Sequence, residues 1–374
     1  MAKSQDSVDV IKREFAQTLP GMDVGAAAIT GRIRRTNFHL NRNAEEVFNT
    51  FNTTGASFDV LAALYGAGPP YQMTPTQFYR GHMMSSAGVT ARLDVVERAG
   101  LVARSRDPRD RRGVIVTLTR AGQKLVRDAA QALYRRQAFV QTVYIERERK
   151  QVLNLMKALL NSLERIGSGT TLPDYKAAIG PWVREFPTLD PWLLEFLLVI
   201  AMLTGRINRE TDRLLHDLDV SRTAMIILAA LRRSSNGQRL SPSELSQAAL
   251  LSSAGMTAQL DQLEERGLVR RSPHPEDRRA LYVTLTPSGQ KLVDKAIETY
   301  NAGHKRMLTS LSSSERQTLD ALLRKLLVSL EASNGGNAEA SRGASREKSD
   351  GQRIGRSDSM AARARVRRSR RGTS

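Results

Sequence analysis

Cysteine is absent from all 374 residues, which excludes disulfides, thiolate nucleophiles, cysteine-ligated zinc and thiol redox sensing. The N-terminus, Met1-Ala2-Lys3-Ser4-Gln5-Asp6, lacks an apolar signal core. The longest apolar run, Leu193 to Leu203 broken by Glu195, is too short to span a bilayer. The expectation is a soluble cytoplasmic protein without a membrane partner. The five histidines, His39, His82, His216, His274 and His304, stand apart with no ligand partner at metal spacing. No Gly-rich phosphate loop, nucleophile elbow or paired-carboxylate setting stands out. No metal, no cofactor and no enzymatic activity are therefore expected.

What is abundant is positive charge. A formal net charge of +19 points to an acidic polymer as partner, with nucleic acid first and an anionic membrane surface second. The length suits two domains of ordinary size, each able to bury its own core. An internal repeat agrees: Ser85 to Val126 aligns without a gap to Ser252 to Val293, with 27 of 42 positions identical. A repeat of this length is a whole domain, too long for a solenoid unit.

Each copy has the same order of signals. Val24 to Phe51 and Leu193 to Leu218 show helical spacing of apolar positions, and both contain Thr-Gly-Arg-Ile. Short apolar helices are expected over Phe58 to Leu64 and Ala224 to Leu231. Thr74-Pro75-Thr76-Gln77 and Ser241-Pro242-Ser243-Glu244 then read as helix starts: a hydroxyl N-cap, Pro at the first helical position, and Gln or Glu placed to close a capping box. That helix ends near Met84 or Leu251, where paired serines cap a second helix running to about Arg98 or Arg266. The pair is a helix-turn-helix. Gly100 and Gly267 supply the stop, and a β-hairpin wing follows, over Val102 to Leu118 and Val269 to Leu285. After Thr119 and Thr286 a single long helix is expected to carry each copy to its end, near Ile166 and Ala332.

These signals divide the chain into a first domain over residues 1–165, a Gly/Ser/Thr-rich linker over 166–181, a second domain over 182–332 and a tail over 333–374. Beyond Ser333 the chain loses apolar periodicity and has 11 basic against 4 acidic residues, the composition of a disordered basic tail. Trp182-Val183-Arg184-Glu185-Phe186 echoes Ile11-Lys12-Arg13-Glu14-Phe15.

The succession of long helix, helix-turn-helix, Gly-Leu-Val, wing with Asp-Arg-Arg, Val-x-Leu-Thr-x-x-Gly and long helix resembles the MarR family of winged helix-turn-helix transcription regulators, twice over. The most specific pieces are Asp110-Arg111-Arg112 to Gly122 and Asp277-Arg278-Arg279 to Gly289. The resemblance implies a mainly α fold with small β wings, as tandem winged helix-turn-helix domains joined by long dimerisation-type helices. It also implies double-stranded DNA as partner, with one helix of each domain in a major groove and each wing in the adjacent minor groove. By the same likeness, the minor-groove probes are Arg112 with Asp110 and Arg279 with Asp277, flanked by Arg109, Arg111 and Arg278. A guanidinium suits the negative potential of a narrow groove, and a neighbouring carboxylate holds it in one direction.

Base reading falls to exposed positions early in the second helix: Ser86, Thr90 and Arg92 in the first copy, Ser253, Thr257 and Gln259 in the second. Capping and ordinary surface are the competing readings for the hydroxyl residues. Arginine suits guanine and glutamine adenine in the major groove, so an asymmetric site is expected. The resemblance further implies a small, often aromatic, effector between the long helices and the reading helices, although Phe51, Met73, Met83, Met84 and Met225 read first as core. A linker of about 20 residues at about 3.3 Å each reaches from one protomer's end to the next one's start, so an intramolecular pseudo-dimer is feasible. A homodimer of tandem chains with four readers is the alternative. The expected function is a ligand-responsive repressor, with a sequence-neutral architectural DNA-binding protein as alternative.

Overall fold

Local capping and close backbone approach set the frame of both copies. The computed structural model describes residues 5–81, 86–108, 110–166, 175–234, 239–273 and 281–333. In the first copy the elements are α1 (Ser7–Thr18), α2 (Gly25–Thr50), α3 (Gly55–Gly66), β1 (Gln72–Met73), α4 (Pro75–Gly81), α5 (Ser86–Arg98), β2 (Val102–Asp107), β3 (Asp110–Leu118), α6 (Arg120–Gln137), α7 (Phe139–Val143) and α8 (Glu146–Ile166). The second has α9 (Tyr175–Glu185), α10 (Pro191–His216), α11 (Arg222–Arg233), β4 (Arg239–Leu240), α12 (Pro242–Ala249), α13 (Ser253–Glu265), β5 (Val269–Pro273), β6 (Leu281–Leu285) and α14 (Pro287–Met307), then α15 over residues 313–333. Residues 1–327 form one compact unit.

The expected capping boxes form. The Gln77 side chain accepts from the Thr74 N–H at 2.7 Å while the Gln77 N–H donates to Thr74 Oγ1 at 3.4 Å. Ser241 and Glu244 make the same reciprocal pair. Thr119 and Thr286 cap α6 and α14 by accepting from the N–H of Gly122 and Gly289. Those two glycines are obligatory for a steric reason. A Cβ on Gly122 would lie 2.2 Å from the Leu101 carbonyl oxygen, and one on Gly289 1.9 Å from that of Leu268. The Thr-x-x-Gly motif is thus the place where a helix start is pressed onto the strand that opens the wing.

Each wing is a three-stranded antiparallel sheet, ordered β1-β3-β2 and β4-β6-β5. The short third strands β1 and β4 lie before the helix-turn-helix in sequence and pair with the far strand of the hairpin. The first helix-turn-helix core gathers Phe58, Leu61, Leu64, Phe78, Leu93 and Val116; the second gathers Leu228, Leu231, Leu245, Met256, Leu260 and Val283. Full burial of side chains of this size contributes about 1.5–3 kcal/mol each.

The halves are exchanged at their starts. Phe15 and Leu19 of the α1 segment, with Met22 beyond it, pack against the second helix-turn-helix core. Trp182 of α9, with Phe186 and Leu189 just past it, packs against the first. Around these, α2 packs on both α10 and α14, and α8 packs on α10.

Three sequence expectations are corrected. The single helix after each wing is broken: α6 ends at Gln137 and α8 starts at Glu146, while α14 ends at Met307 and α15 starts at 313. The breaks have local causes. Tyr144 adopts an extended conformation and the Ile145 N–H is taken by Glu148; Ser312 and Glu315 form a capping box that starts a new helix. The chain turns back there, so that α8 lies along α10 and Lys157 pairs with Glu195. Next, α9 begins at Tyr175, inside the stretch 166–181 read as linker, so part of that stretch is helix. Finally, the apolar run judged too short for a bilayer belongs to the 26-residue α10, which is long and apolar enough to cross a membrane by length and composition alone. Its apolar side, Leu193, Phe196, Val199, Ile200, Leu203 and Ile207, is fully buried inside the compact unit.

Candidate nucleic-acid interface

The turn of the second helix-turn-helix closes on Leu250, which takes the left-handed conformation with φ 55°. Ser252 then caps α13 by accepting from the Gly255 N–H at 3.2 Å. This start presents Ser253 and Thr257 to solvent, with the Thr257 hydroxyl donating to the Ser253 carbonyl at 3.1 Å. Gln259 is half-buried, and its amide donates to Gln262 at 3.3 Å. In the first copy Thr90 is exposed on α5, whereas Arg92 is half-buried and close enough to Asp59 of α3 for the two charges to interact. Ser86 opens α5, and Asp110, Arg111 and Arg112 open β3; their side chains lie outside the described residues, as do Arg109, Asp277, Arg278 and Arg279 altogether. The structure therefore brings Ser253, Thr257 and Gln259 to one helix and leaves the wing tips undescribed.

One pair of residues escaped the sequence reading. Arg104 of β2 reaches back to α5, with Nη2 2.6 Å from Asp94 and Nη1 3.2 Å from Glu97. In the second copy Arg271 of β5 does the same to α13, 2.6 Å from Asp261 and 3.4 Å from Glu264, and its backbone N–H also donates to Glu264 at 2.9 Å. The signal was present: Asp, Glu and Arg sit 167 positions apart in both copies. The clamp ties the base of each wing to the second helix of its helix-turn-helix.

Behind the second helix-turn-helix lies a cavity of about 390 Å³. Its walls come from α1 and α2 of the first half and from α10, α11, α12 and α14 of the second. Phe15, Phe38, Met225 and Tyr300 provide apolar surface, and Ala248, Ala249 and Leu250 bring the helix-turn-helix turn itself to the wall. Met225 is thus both core, as read from sequence, and cavity lining.

Comparison with known proteins follows the same division. The MarR family pattern matches residues 51–113 and again 218–280. The HTH-type transcriptional regulator PecS of Dickeya dadantii is 32% identical over 148 residues, covering 39% of this chain and 87% of that protein. The multiple antibiotic resistance protein MarR of Salmonella typhimurium is 28% identical over 140 residues, 36% of this chain and 95% of that protein. Among solved structures, a mutant MarR from Escherichia coli complexed with operator DNA aligns at 27% identity and a TM-score of 0.33, covering 34% of this chain and 91% of that one.

Proposed function

Because the chain belongs to the MarR family and carries two copies of its domain in tandem, we propose that a single chain grips one two-part duplex site as an intramolecular pseudo-dimer and represses by occupying it. The observation that carries this reading is the exchange of starting segments: α1 supports the second reader and α9 leads into the segment that supports the first. Two readers held by each other's segments form one covalent unit with two DNA-facing helices. Such a unit has the symmetry of a two-fold dimer without its constraint that both surfaces be identical.

In this reading Ser86, Thr90 and Arg92, and Ser253, Thr257 and Gln259, face base edges, while Arg109 to Arg112 and Asp277 to Arg279 serve the minor groove. The exposure of Thr90, Ser253 and Thr257 supports the first part. Arg92 must turn away from Asp59 to reach a base. A small aromatic effector seated in the cavity behind α12 and α13 releases the DNA, a role supported by the position of Ala248 to Leu250 in its wall.

Hydroxyl-radical footprinting tests the reading. Two protected stretches about 10 base pairs apart, centre to centre, are expected on a specific duplex. Continuous, sequence-independent protection would replace it with the architectural alternative.

A further inference from the structure

The cavity's lining cations are mostly unmatched across the pseudo-symmetry. Five cations line it: Lys12, Arg34, Arg35, Arg222 and Arg233. No aspartate or glutamate is among the described lining residues. Arg222 and Arg233 are committed to Asp212 and Glu14 behind the wall. Arg34 donates to the Tyr300 hydroxyl at 3.0 Å, and Arg35 to the Ala248 carbonyl at 3.0 Å. Two further wall groups, the Asn208 amide oxygen and the Asn301 amide nitrogen, are buried without a hydrogen-bond partner in the protein. A buried polar group left unpaired is costly, so this wall suits a molecule that brings polar atoms as well as a ring.

The internal repeat maps each of these positions onto the other half. Lys12 corresponds to Val183, Arg34 to Asn208, Arg222 to Gly55 and Arg233 to Gly66; only Arg35 meets another cation, Arg209. Ile11, which lines the cavity, corresponds to Trp182. The Trp182 ring packs 5.4 Å from Tyr65 and 6.0 Å from Phe186, with Tyr71 stacked on Tyr65 at 5.3 Å. Where the second reader's chamber has five cations, the matching positions of the first half keep one, Arg209, beside packed aromatic rings.

We infer that the chain takes one anionic, ring-bearing ligand, in the chamber behind the second reader only, and that this ligand acts on α13 and not on α5. The inference rests on the ligand-responsive reading above and narrows it to one site per chain, an anion, and one controlled half-site. The coupling is physical. A ligand held by Arg34 and Arg35 of α2 presses on Ala248 to Leu250, the turn whose left-handed residue sets the entry to α13. Arg35 already bonds that turn, so a carboxylate competing for its guanidinium changes the support of the recognition helix.

The test is calorimetric titration of the full chain, without DNA, by three probes of equal shape: 2-naphthoate, 2-naphthylmethanol and 2-naphthylmethylamine. One naphthoate site per chain is expected, with the alcohol and the ammonium weaker by about tenfold or more, the scale of a lost charge-assisted contact. Arg35→Met and, on a different helix, Lys12→Met are expected to weaken naphthoate alone. Two equal sites per chain, equal affinity for the three probes, no binding of naphthoate, or unchanged affinity in both variants would overturn the assignment. Footprinting with naphthoate present is the second arm: protection is lost under α13 and kept under α5, and loss under both halves together overturns the one-sided coupling. A chain that protects no DNA at all defeats the proposed function while leaving the calorimetric result standing.

Discussion

Arg32 in the first half and Asp320 in the second are joined by an ion pair of 2.5 Å. The Arg32 side chain is fully buried and also holds Asp6 at 2.7 Å and Asp9 at 2.6 Å. Burial alone would raise the Asp9 carboxyl pKa, but the Asp6 N–H and the charges of Arg32 and Arg324 hold it below its ordinary value. Four groups from three segments far apart in sequence thus make one knot between the start of α1, α2 and the last helix. The position matching Arg32 in the repeat is Arg206, yet Leu153 stands where Asp320 has its counterpart, so that carboxylate has no match in the first half.

Removing the central cation leaves three carboxylates facing each other. Arg32→Met is expected to destabilise the chain by about 3–5 kcal/mol, as breaking a buried pair does. Asp320→Asn, at a more exposed partner, is expected to cost less. Urea unfolding of the two variants beside the parent chain measures both; an Arg32→Met midpoint equal to the parent's contradicts the account.

The clamps from Arg104 and Arg271 lie at the surface, where ion pairs contribute only about 0.2–1 kcal/mol to stability. Arg104→Ala and Arg271→Ala are therefore expected to melt close to the parent chain. Duplex affinity is expected to fall about tenfold, one lost positioning contact, because the wing no longer moves with its helix. Thermal melts and fluorescence anisotropy together separate this from a general folding defect.

Stability is expected to fall on mild acidification. His304 is fully buried, its Nδ1 2.6 Å from the Thr30 hydroxyl and its Nε2 3.2 Å from that of Thr211. Burial, then the Arg34 charge, pushes its pKa down to about 3. Burial, with Arg35 and Arg42, takes His39 to about 4. Both folded-state values lie below the unfolded value near 6.5, so the unfolded chain binds protons first. The stability these neutral rings contribute is complete above pH 6.5 and is lost as pH falls from there through about 4 and 3. His304→Gln is expected to flatten unfolding free energy against pH between 6.5 and 4; an unaltered slope contradicts the assignment.

Much of this architecture was legible from local chemistry. N-cap hydroxyls, Pro at helix starts, Gly at stops and the Thr-x-x-Gly motif act within a few residues, so both helix-turn-helix frames and both wings could be read directly. The features that escaped are set at a distance. Strands β1 and β4 are two residues long and exist only by pairing with β3 and β6. The breaks after α6 and α14 serve packing against the other half, which periodicity along one helix does not record. Val183, Asn208, Gly55 and Gly66 show their meaning only when set against the cations of the cavity. Ser253, Thr257 and Thr90 were placed on the reading helices from sequence and lie exposed there, while the half-burial of Arg92 beside Asp59 reflects a neighbour on another helix.

Residues 334–374 carry 11 basic against 4 acidic residues, a composition that suits phosphate contacts carrying no sequence information. A chain lacking residues 334–374 is expected to lose salt dependence, the slope of log affinity against log salt becoming shallower by about 0.9 for each phosphate contact removed. Its site preference is expected to stay the same. Binding measured across a salt series checks it, and an unchanged slope removes the tail from the mechanism.

One chain is expected to read a two-part site whose halves differ under Arg92 and Gln259. Selection of duplexes from a random pool at about 0.15 M salt, which suppresses the phosphate-only contribution, followed by native mass measurement on the winning duplex, tests it most directly. An imperfect palindrome bound by a single chain of 41.4 kDa is expected. A perfect palindrome, two chains per duplex, or a pool with no enrichment would contradict it.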